Sequence, residues 1–286
     1  MSCIRCELWN SQSEIPMLPI ALTIAGSDNS AGAGAQADLK TFSALGVYGI
    51  TAITCVVAEV PGKVSAIQAV SPDIVAEQIR VLFNAFPIAA VKTGMLLSRE
   101  IIDAVCSTLE SVQAASGGRK MLVVDPVMVA TSGDPLLHED AVALYRERLF
   151  PMADLITPNL DETCALLGRE VTTVAEMRLA GAELCDRFGA AWLLKGGHLR
   201  EPIATDLLFA DRDVHEFRAP FVPGVSTHGT GCTYSAAITA HLAHGRSLVD
   251  AAAGAKAFVT NAIAHFLRWE HRGQVTDALH HFAPPE

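Results

Sequence analysis

No apolar run in the sequence approaches the ~20 residues that cross a bilayer, because Lys, Arg, Asp and Glu interrupt every long stretch. Positive charge is also scarce: 21 Lys and Arg stand against 31 Asp and Glu, which gives a net charge of -10. This balance disfavours binding to nucleic acid or to an anionic membrane surface. It still permits phosphate ligands, since a local nest of backbone N–H groups holds an anion even in a negative surround.

The seven cysteines show no regular spacing, and their number is odd. Reduced thiols are therefore expected, which favours a cytoplasmic location. Cys3 and Cys6 form a C-x-x-C pair, but no second pair at zinc-like spacing follows, so no zinc site is predicted there. Residues 1–17 contain no basic segment followed by an apolar one, as a secretory signal would. We interpret them as a loose leader; a translation start at Met17 would leave the predicted fold intact.

Apolar segments of strand length alternate with segments of helical periodicity over residues 18–195. One of the predicted helices covers residues 174–188. Repeated strand–helix units predict an α/β fold, in which helices cover both faces of a mostly parallel sheet. No linker-like stretch divides the chain, so residues 18–286 are predicted to form a single domain of three layers.

The C-terminal third departs from this alternation. Residues 205–221 contain two strand-like runs on either side of Asp211, Arg212 and Asp213, which predict an antiparallel hairpin at the edge of the sheet. Two Ala-rich helices, at about residues 231–244 and 247–268, are expected to end the chain. Ligands of such folds gather at the carboxyl ends of the strands. Glycine or polar residues follow most of the predicted strands, which favours a binding site over a purely structural sheet.

The first of two glycine-rich turns covers residues 26–38 (G-S-D-N-S-A-G-A-G-A-Q-A-D). A turn of this kind between a strand and a helix often binds phosphate or lets a ligand approach the backbone. The spacing matches neither the Walker A pattern nor a dinucleotide fingerprint, so a structural tight turn is an alternative of equal weight. Asp38 is expected near the start of the helix, where a carboxylate also stabilises the helix dipole.

The second turn, S-T-H-G-T-G-C-T at residues 226–233, enters one of the Ala-rich helices. The first N–H groups of a helix have no intrahelical partner. At Gly229, Thr230 and Gly231 these donors and the positive end of the helix dipole predict an anion hole for a transferring phosphoryl group. A plain turn or a helix cap is the alternative, although a cap needs only one glycine. Cys232 is either an inert buried thiol or a general base whose pKa the helix N-terminus lowers.

Two carboxylates and one lysine complete the candidate site. Asp125 follows a predicted buried strand and Glu162 begins a predicted helix, so the pair could hold Mg²⁺ through water; helix capping or a surface charge is the alternative for each. Lys195 ends a predicted strand before two glycines and is placed to contact a nucleotide phosphate. The histidines show no metal-binding pattern and are interpreted as structural or surface residues.

Several segments resemble hydroxymethylpyrimidine/phosphomethylpyrimidine kinases of the thiamine pathway, which belong to the ribokinase-like superfamily. The resemblance runs in order along the chain from about residue 18 to the end. The segments are A-G-S-D-N-S-A-G-A-G-A-Q-A-D-L-K-T-F-S-A-L-G-V-Y-G (25–49), K-T-G-M-L (92–96), D-P-V-M-V-A-T-S-G-D-P-L-L (125–137), I-T-P-N-L-D-E (156–162), K-G-G-H (195–198) and T-H-G-T-G-C-T (227–233).

The resemblance implies a role for each matched residue. Substrate contacts are implied for Ala33, Asp38, Val57, Glu59, Met95 and Val127, with Glu59 suited to the edge of an aminopyrimidine. Contacts with ATP are implied for Asn159, Lys195 and Thr227. Asp125 and Glu162 would support Mg²⁺, and residues 229–232 would form the anion hole. Related sugar kinases carry Asp as the base where this chain, like the pyrimidine kinases, carries Cys232. The family likeness also implies a homodimer.

The implied enzyme acts twice, first on the hydroxymethyl group of the pyrimidine and then on the monophosphate that results. Two other readings remain open on the sequence alone. A pyridoxal-type vitamin kinase shares the fold and the second turn, although Glu59 favours an aminopyrimidine. A pyrimidine-binding module without catalytic activity is the other, although the presence of Asp125, Lys195 and Cys232 counts against it.

Overall fold

The computed structural model describes residues 17–115, 118–128, 139–199, 201–225 and 228–284. Residues 1–16 of the predicted leader and Thr227 of the second turn lie outside these ranges. The five cysteines within them are all free. None of the described helices combines the length and the apolar character that a membrane-spanning segment requires.

The central sheet has nine strands in the described part of the chain. They are β1 Ile20–Asp28, β2 Tyr48–Val60, β3 Lys63–Ala69, β4 Ile88–Thr93, β5 Met121–Val124, β6 Leu155–Ile156, β7 Ala191–Lys195, β8 Ile203–Ala210 and β9 Asp213–Pro220. Their spatial order is β3-β2-β1-β4-β5-β6-β7-β8-β9. The six strands from β2 to β7 in this order run parallel, and β8 and β9 form the predicted antiparallel hairpin at one edge.

Helices cover both faces of the sheet. They are α1 Gly34–Ala44, α2 Pro72–Ala85, α3 Arg99–Ala115, α4 Glu139–Leu144, α5 Leu160–Leu167, α6 Val174–Phe188, α7 Thr230–Ala243 and α8 Leu248–Ala264, with a π-helical turn at Tyr145–Leu149. Leu122 and Val124 of β5 pack in the core beneath α2–α6, whereas Val123 faces α7 and α8. Phe42 of α1 packs against α7. The alternation along β5 is the period of two that a strand buried on both faces shows.

Two hairpins were not predicted from the sequence. Strand β3 returns antiparallel along β2 after Pro61 and Gly62, and Gly62 has φ +82°, as the third position of a type II turn requires. The last predicted helix was also too long. Helix α8 ends at Ala264, and β10 Leu267–His271 pairs antiparallel with β11 Gln274–Ala278. Both residues of the connecting turn, Arg272 and Gly273, have positive φ, which is the geometry of a tight hairpin.

Candidate active site

The carboxyl ends of the parallel strands open into one cavity of about 390 Å³. All the site residues predicted from the sequence line this cavity, apart from Asp38 and the undescribed Thr227. They are Ala33, Val57, Glu59, Met95, Asp125, Val127, Asn159, Glu162, Lys195, Gly229, Thr230, Gly231 and Cys232. Residues from both glycine-rich turns therefore face the same space as the strand ends.

The first turn is organised by the carboxylate of Asp28 at the end of β1. Its Oδ1 accepts hydrogen bonds from the backbone N–H and the hydroxyl of Ser30, both at 2.7 Å. Its Oδ2 accepts from the N–H groups of Gly32 at 3.2 Å and Ala33 at 2.7 Å. Burial by itself would raise the pKa of Asp28, but hydrogen bonds from His228, Ser30 and Ala33 outweigh it and hold that pKa well below its usual range. Asp28 is therefore an anion that shapes the loop.

The second turn packs directly on the first. Gly229 precedes α7 with φ +81°, and a Cβ built on it would lie 1.8 Å from the carbonyl oxygen of Gly32. Only glycine fits this position, because both the backbone conformation and the space exclude a side chain. Helix α7 begins at Thr230, whose buried Oγ1 has no hydrogen-bond partner among the described residues. A Cβ on Gly231 would lie 3.3 Å from Nζ of Lys195, so the turn and this cation face each other.

Asp38 lies beneath the cavity rather than in its wall. Lys92 Nζ donates to both its carboxylate oxygens at 2.7 Å, and the Thr23 hydroxyl donates at 2.6 Å. Both Asp38 and Lys92 are fully buried. Since α1 begins at Gly34, no acidic residue lies in its first turn, so the alternative role of Asp38 in stabilising the helix dipole is wrong. The carboxylate instead neutralises a buried lysine that does line the cavity.

A second buried ion pair joins β5 to β7. Lys195 Nζ lies 3.0 Å from Asp125 Oδ1, and the Ser235 hydroxyl of α7 donates to Asp125 Oδ2 at 3.1 Å. Burial would raise the pKa of Asp125, but Lys195 and Lys92 outweigh it and lower that pKa. Asp125 is therefore charged and is held by both Lys195 and Ser235 of α7.

Glu162 and Asn159 form a capping box at the start of α5. Asn159 Oδ1 accepts from the Glu162 N–H, and Glu162 Oε2 accepts from the Asn159 N–H, each at 2.8 Å. Burial raises the pKa of Glu162, and the charge of Asp125 raises it further, against the opposing effect of Lys195. Each of these two carboxyl groups makes ionisation of the other less favourable, and a divalent cation bound between them would remove that repulsion. Asp125 and Glu162 therefore fit a magnesium ion.

The expectation of a lowered pKa at Cys232 is wrong. Burial raises the pKa of the thiol to about 12; Lys92 opposes this effect, while the carboxylates of Asp38 and Asp125 reinforce it. Desolvation of this partly buried thiol is the largest of these effects, so it overrides the lowering expected at a helix N-terminus. Cys232 is therefore a neutral thiol at pH 7.

Sequence reasoning missed three charged residues that hold the site together: Asp28, Lys92 and His228. Each lies inside a segment that carries the family resemblance, but each has its partner far away in sequence. His228 Nε2 lies 3.1 Å from Asp28 Oδ2, across 200 residues. Ligand atoms of Asp28, Glu59 and His228 lie within 4.8 Å of one another. Because both oxygens of Asp28 already accept several hydrogen bonds, this group is better described as an ionic cluster than as a metal site.

Residues 28–277 match the family model described as phosphomethylpyrimidine kinase. The chain belongs to the phosphomethylpyrimidine kinase family. A hydroxymethylpyrimidine/phosphomethylpyrimidine kinase from Rhizobium meliloti is 46% identical over 267 residues, covering 93% of this chain and 98% of that relative.

Solved structures agree with this family assignment. The phosphomethylpyrimidine kinase of Clostridium difficile is 38% identical with a TM-score of 0.74, covering 85% of this chain and 99% of that one. The pyridoxal kinase of Staphylococcus aureus, in complex with AMP-PCP and pyridoxal, is 34% identical with a TM-score of 0.82, covering 93% and 94% of the two chains. The ribokinase-like fold with three layers, expected from the sequence, is confirmed.

Proposed function

We propose that this member of the phosphomethylpyrimidine kinase family phosphorylates 4-amino-5-hydroxymethyl-2-methylpyrimidine at the expense of ATP. It then phosphorylates the monophosphate to the diphosphate, and both steps serve thiamine biosynthesis. The observation that carries the proposal is the meeting of Glu59, Cys232 and the glycine turn in one cavity. The R. meliloti relative, whose name contains both kinase activities, supports the two-step reaction.

On the nucleotide side we assign the phosphate contacts to Lys195, Asn159 and Thr227. Lys195 ends β7 beside the glycine turn and is held by Asp125 at 3.0 Å, so its charge is fixed in place. The N–H groups of residues 229–232 face the transferring phosphoryl group at the positive end of α7. The AMP-PCP in the similar S. aureus structure supports a nucleoside triphosphate as the donor.

Asp125 and Glu162 are the residues that would hold Mg²⁺. The ion would neutralise charge on the phosphates of the nucleotide. With both carboxylates in the cavity wall, the ion's charge would also favour the ionised form of Glu162. The two carboxylates would offset part of the positive charge of Lys195 and the metal, and the phosphates of the nucleotide would offset the rest.

On the acceptor side, Ala33, Val57, Met95 and Val127 supply an apolar wall and Glu59 supplies the polar edge. Burial raises the pKa of Glu59, and the charge of Asp28 raises it further, while His228 opposes both. A carboxylate oxygen accepts a hydrogen bond from an amino group, and a carboxyl group that gains a proton on binding also donates one. That pair matches the ring nitrogen and the amino group of an aminopyrimidine. Asp38 would act on the substrate only through Lys92, which it holds in the cavity wall.

The two transfers need different chemistry. In the first, the hydroxyl oxygen forms a bond to the γ-phosphorus while ADP leaves. The hydroxyl proton must pass to a base, and we assign that role to the thiolate form of Cys232. In the second, the nucleophile is a phosphate monoester with a second pKa near ~6, already an anion at pH 7. Charge neutralisation by Lys195, the metal and the glycine turn then dominates.

The test of this function is a kinase assay that follows both products. Purified protein with ATP and Mg²⁺ should convert the hydroxymethylpyrimidine to its monophosphate and then to its diphosphate. Pyridoxal is tested in parallel, because pyridoxal kinases are close structural neighbours. A higher kcat/KM for pyridoxal than for the pyrimidine would replace the proposal with a vitamin B6 kinase. Substrate binding without ATP turnover would instead indicate a silent binding module.

Changing Glu59 tests the acceptor assignment. Glu59→Gln keeps one donor and one acceptor at the same place, so we expect the pyrimidine KM to change by less than about 3-fold. Glu59→Ala removes both, and losing hydrogen bonds of about 1–3 kcal/mol should raise KM roughly 10- to 100-fold. Steady-state kinetics at saturating ATP measures the difference. Equal KM values in the two variants would show that Glu59 does not contact the ring.

We also propose that the protein is a homodimer that uses the face formed by β2 and β3. Every residue of β3 is exposed, and among the described strands β3 pairs only with β2. Val56 and Val60 lie on the face of this ribbon that is turned away from the cavity, and they are exposed by 53% and 56%. A second copy would cover this patch.

Sedimentation equilibrium should give a dimer for the wild type and a monomer for Val56→Glu, because the variant buries a charge at the interface. Val214→Glu is the matched control, since Val214 is exposed by 43% on β9 at the opposite edge of the sheet. That variant should remain dimeric. A monomeric wild type, or dissociation of both variants, would rule out this interface.

A further inference from the structure

The strongest unassigned feature of the cavity is the link between His228 and Asp28. His228 immediately precedes Gly229, the first residue of the anion hole, and its Nε2 lies 3.1 Å from Asp28 Oδ2. The imidazole is 13% exposed and the carboxylate 2%. A polar contact so well shielded from water is stronger than a surface ion pair and holds its geometry.

The same carboxylate shapes the loop on the acceptor side. Its oxygens accept the N–H groups of Ser30, Gly32 and Ala33, and Ala33 lines the cavity. Asp28 therefore holds the first glycine-rich turn, here called the acceptor loop, through hydrogen bonds from its backbone. It holds the second glycine-rich turn through its bond to His228. Movement of either segment is transmitted to the other through one side chain.

The backbones of the two segments are also in contact. A Cβ on Gly229 would lie 1.8 Å from the carbonyl oxygen of Gly32, and a Cβ on Gly32 would lie 3.0 Å from Cδ2 of His228. The imidazole thus covers one face of Gly32 while Gly229 packs against its carbonyl. With so little free space, loss of the imidazole would allow the turn to shift relative to the loop.

Among the residues that the structure describes, two titratable groups face the imidazole: Asp28 at the end of β1 and Glu59 near the end of β2. The hydrogen bond to Asp28 raises the pKa of His228; burial opposes this, and the charges of Asp28 and Glu59 reinforce it. The ion pair is therefore complete at low pH, where His228 carries its proton, and is lost as pH rises through the raised pKa.

We propose that His228 is a positioning residue that fixes the anion hole against the acceptor loop through its bond to Asp28. It sets the distance between the phosphoryl group and the acceptor, rather than contacting either one. Substitution of such a residue lowers the rate of transfer more than it weakens binding of the acceptor, because the residues that line the acceptor side of the cavity stay in place. This inference rests on the proposed kinase function, and its test includes a measurement that does not need the pyrimidine.

The test compares His228→Ala, His228→Gln and, as a control, His244→Ala. His244 follows α7, its imidazole contacts the carbonyl oxygen of Leu45, and it does not line the cavity. We expect His228→Ala to lower kcat of both transfers about 10- to 100-fold, the effect of losing a charge-assisted hydrogen bond, with the pyrimidine KM changed by less than about 3-fold. His228→Gln, whose amide can still donate to Asp28, should recover most of the rate. His244→Ala should resemble the wild type.

The pH profile gives a second readout. For transfer to the monophosphate, which needs no base, wild-type kcat should fall to about the level of His228→Gln as pH rises through the raised pKa of His228, because a neutral imidazole keeps only an uncharged bond to Asp28. The Gln variant should show no such fall, because an amide does not titrate. Equal kcat losses in His228→Ala and His228→Gln, a kcat within about 2-fold of wild type in His228→Ala, or the same fall with pH in the Gln variant would each overturn the inference.

Calorimetry separates this inference from the proposed substrate. His228→Ala should weaken binding of AMP-PCP, which reaches the anion hole, more than binding of ADP. If the wild type turns over no pyrimidine but this difference is found, the positioning role stands and the substrate assignment fails. If AMP-PCP and ADP are weakened equally, or neither is weakened, the positioning role fails whatever the substrate. Thermal unfolding of each variant confirms that the folded protein is being compared.

Discussion

Gly229→Ala is expected to reduce both phosphoryl transfers by about 10²- to 10³-fold, the effect of losing a preorganised oxyanion-hole donor. The added Cβ would lie 1.8 Å from the carbonyl oxygen of Gly32, so either the turn or the acceptor loop must move. The φ of +81° adds backbone strain of about 1 kcal/mol for any other residue. Both transfers fall together, because both develop negative charge at the same N–H groups. Single-turnover rates for each transfer, with product separation, measure the effect.

Gly245→Ala is the matched control for backbone strain. Gly245 follows the C-terminus of α7 with φ +79°, but a Cβ there meets no atom within 4 Å. This variant should lose about 1 kcal/mol of stability and keep its transfer rates. Gly231→Ala should fall between the two, because its Cβ would lie 3.3 Å from the flexible end of Lys195. A Gly229→Ala enzyme that keeps more than a tenth of the wild-type rate would show that the turn is not the anion hole.

Helices whose two ends carry capping residues could be predicted from the local sequence. The helix predicted over residues 174–188 is α6, Val174–Phe188, because Thr173 and Glu176 form a capping box and Gly189 ends the helix at φ +72°. The turn of the β10–β11 hairpin gave no comparable signal. Arg272 adopts a positive φ before Gly273, whereas Asn or Asp is the usual residue at that place.

The sequence was sufficient to predict which strand ends come together. It was not sufficient to predict the ionisation state of the residues that lie there. Parallel strands bring their carboxyl ends together, so Asp125, Asn159 and Lys195 were expected at one edge of the sheet. The state of each group depends on partners that spacing does not reveal. Cys232 is at the start of a helix as expected, yet burial beside Asp38 and Asp125 reverses the direction of its pKa shift. The bond between Asp28 and His228 joins residues 200 positions apart and has no local signature at all.

Cys232→Ala is expected to slow the first transfer by about 10²- to 10⁴-fold and the second by less than about 10-fold. Removing a general base has the larger effect, and it applies only where the nucleophile is an alcohol that must lose a proton. The monophosphate is already an anion at pH 7, so it reaches the same anion hole without needing a base. Single-turnover rates with the pyrimidine and with its monophosphate measure the two steps separately. Equal losses in both would show that Cys232 contributes packing at the start of α7 rather than proton transfer.

The raised pKa of Cys232 predicts how the first transfer depends on pH. Burial, reinforced by Asp38 and Asp125, raises that pKa to about 12, so the thiolate that must act as the base is scarce at pH 7 and grows more abundant as pH rises. The wild-type rate of the first transfer should therefore increase with pH above neutrality, until the loss of the His228 proton limits it. Cys232→Ala should lose this increase, while its second transfer keeps the wild-type profile. An increase of the first transfer with pH that survives in Cys232→Ala would place the base elsewhere in the cavity.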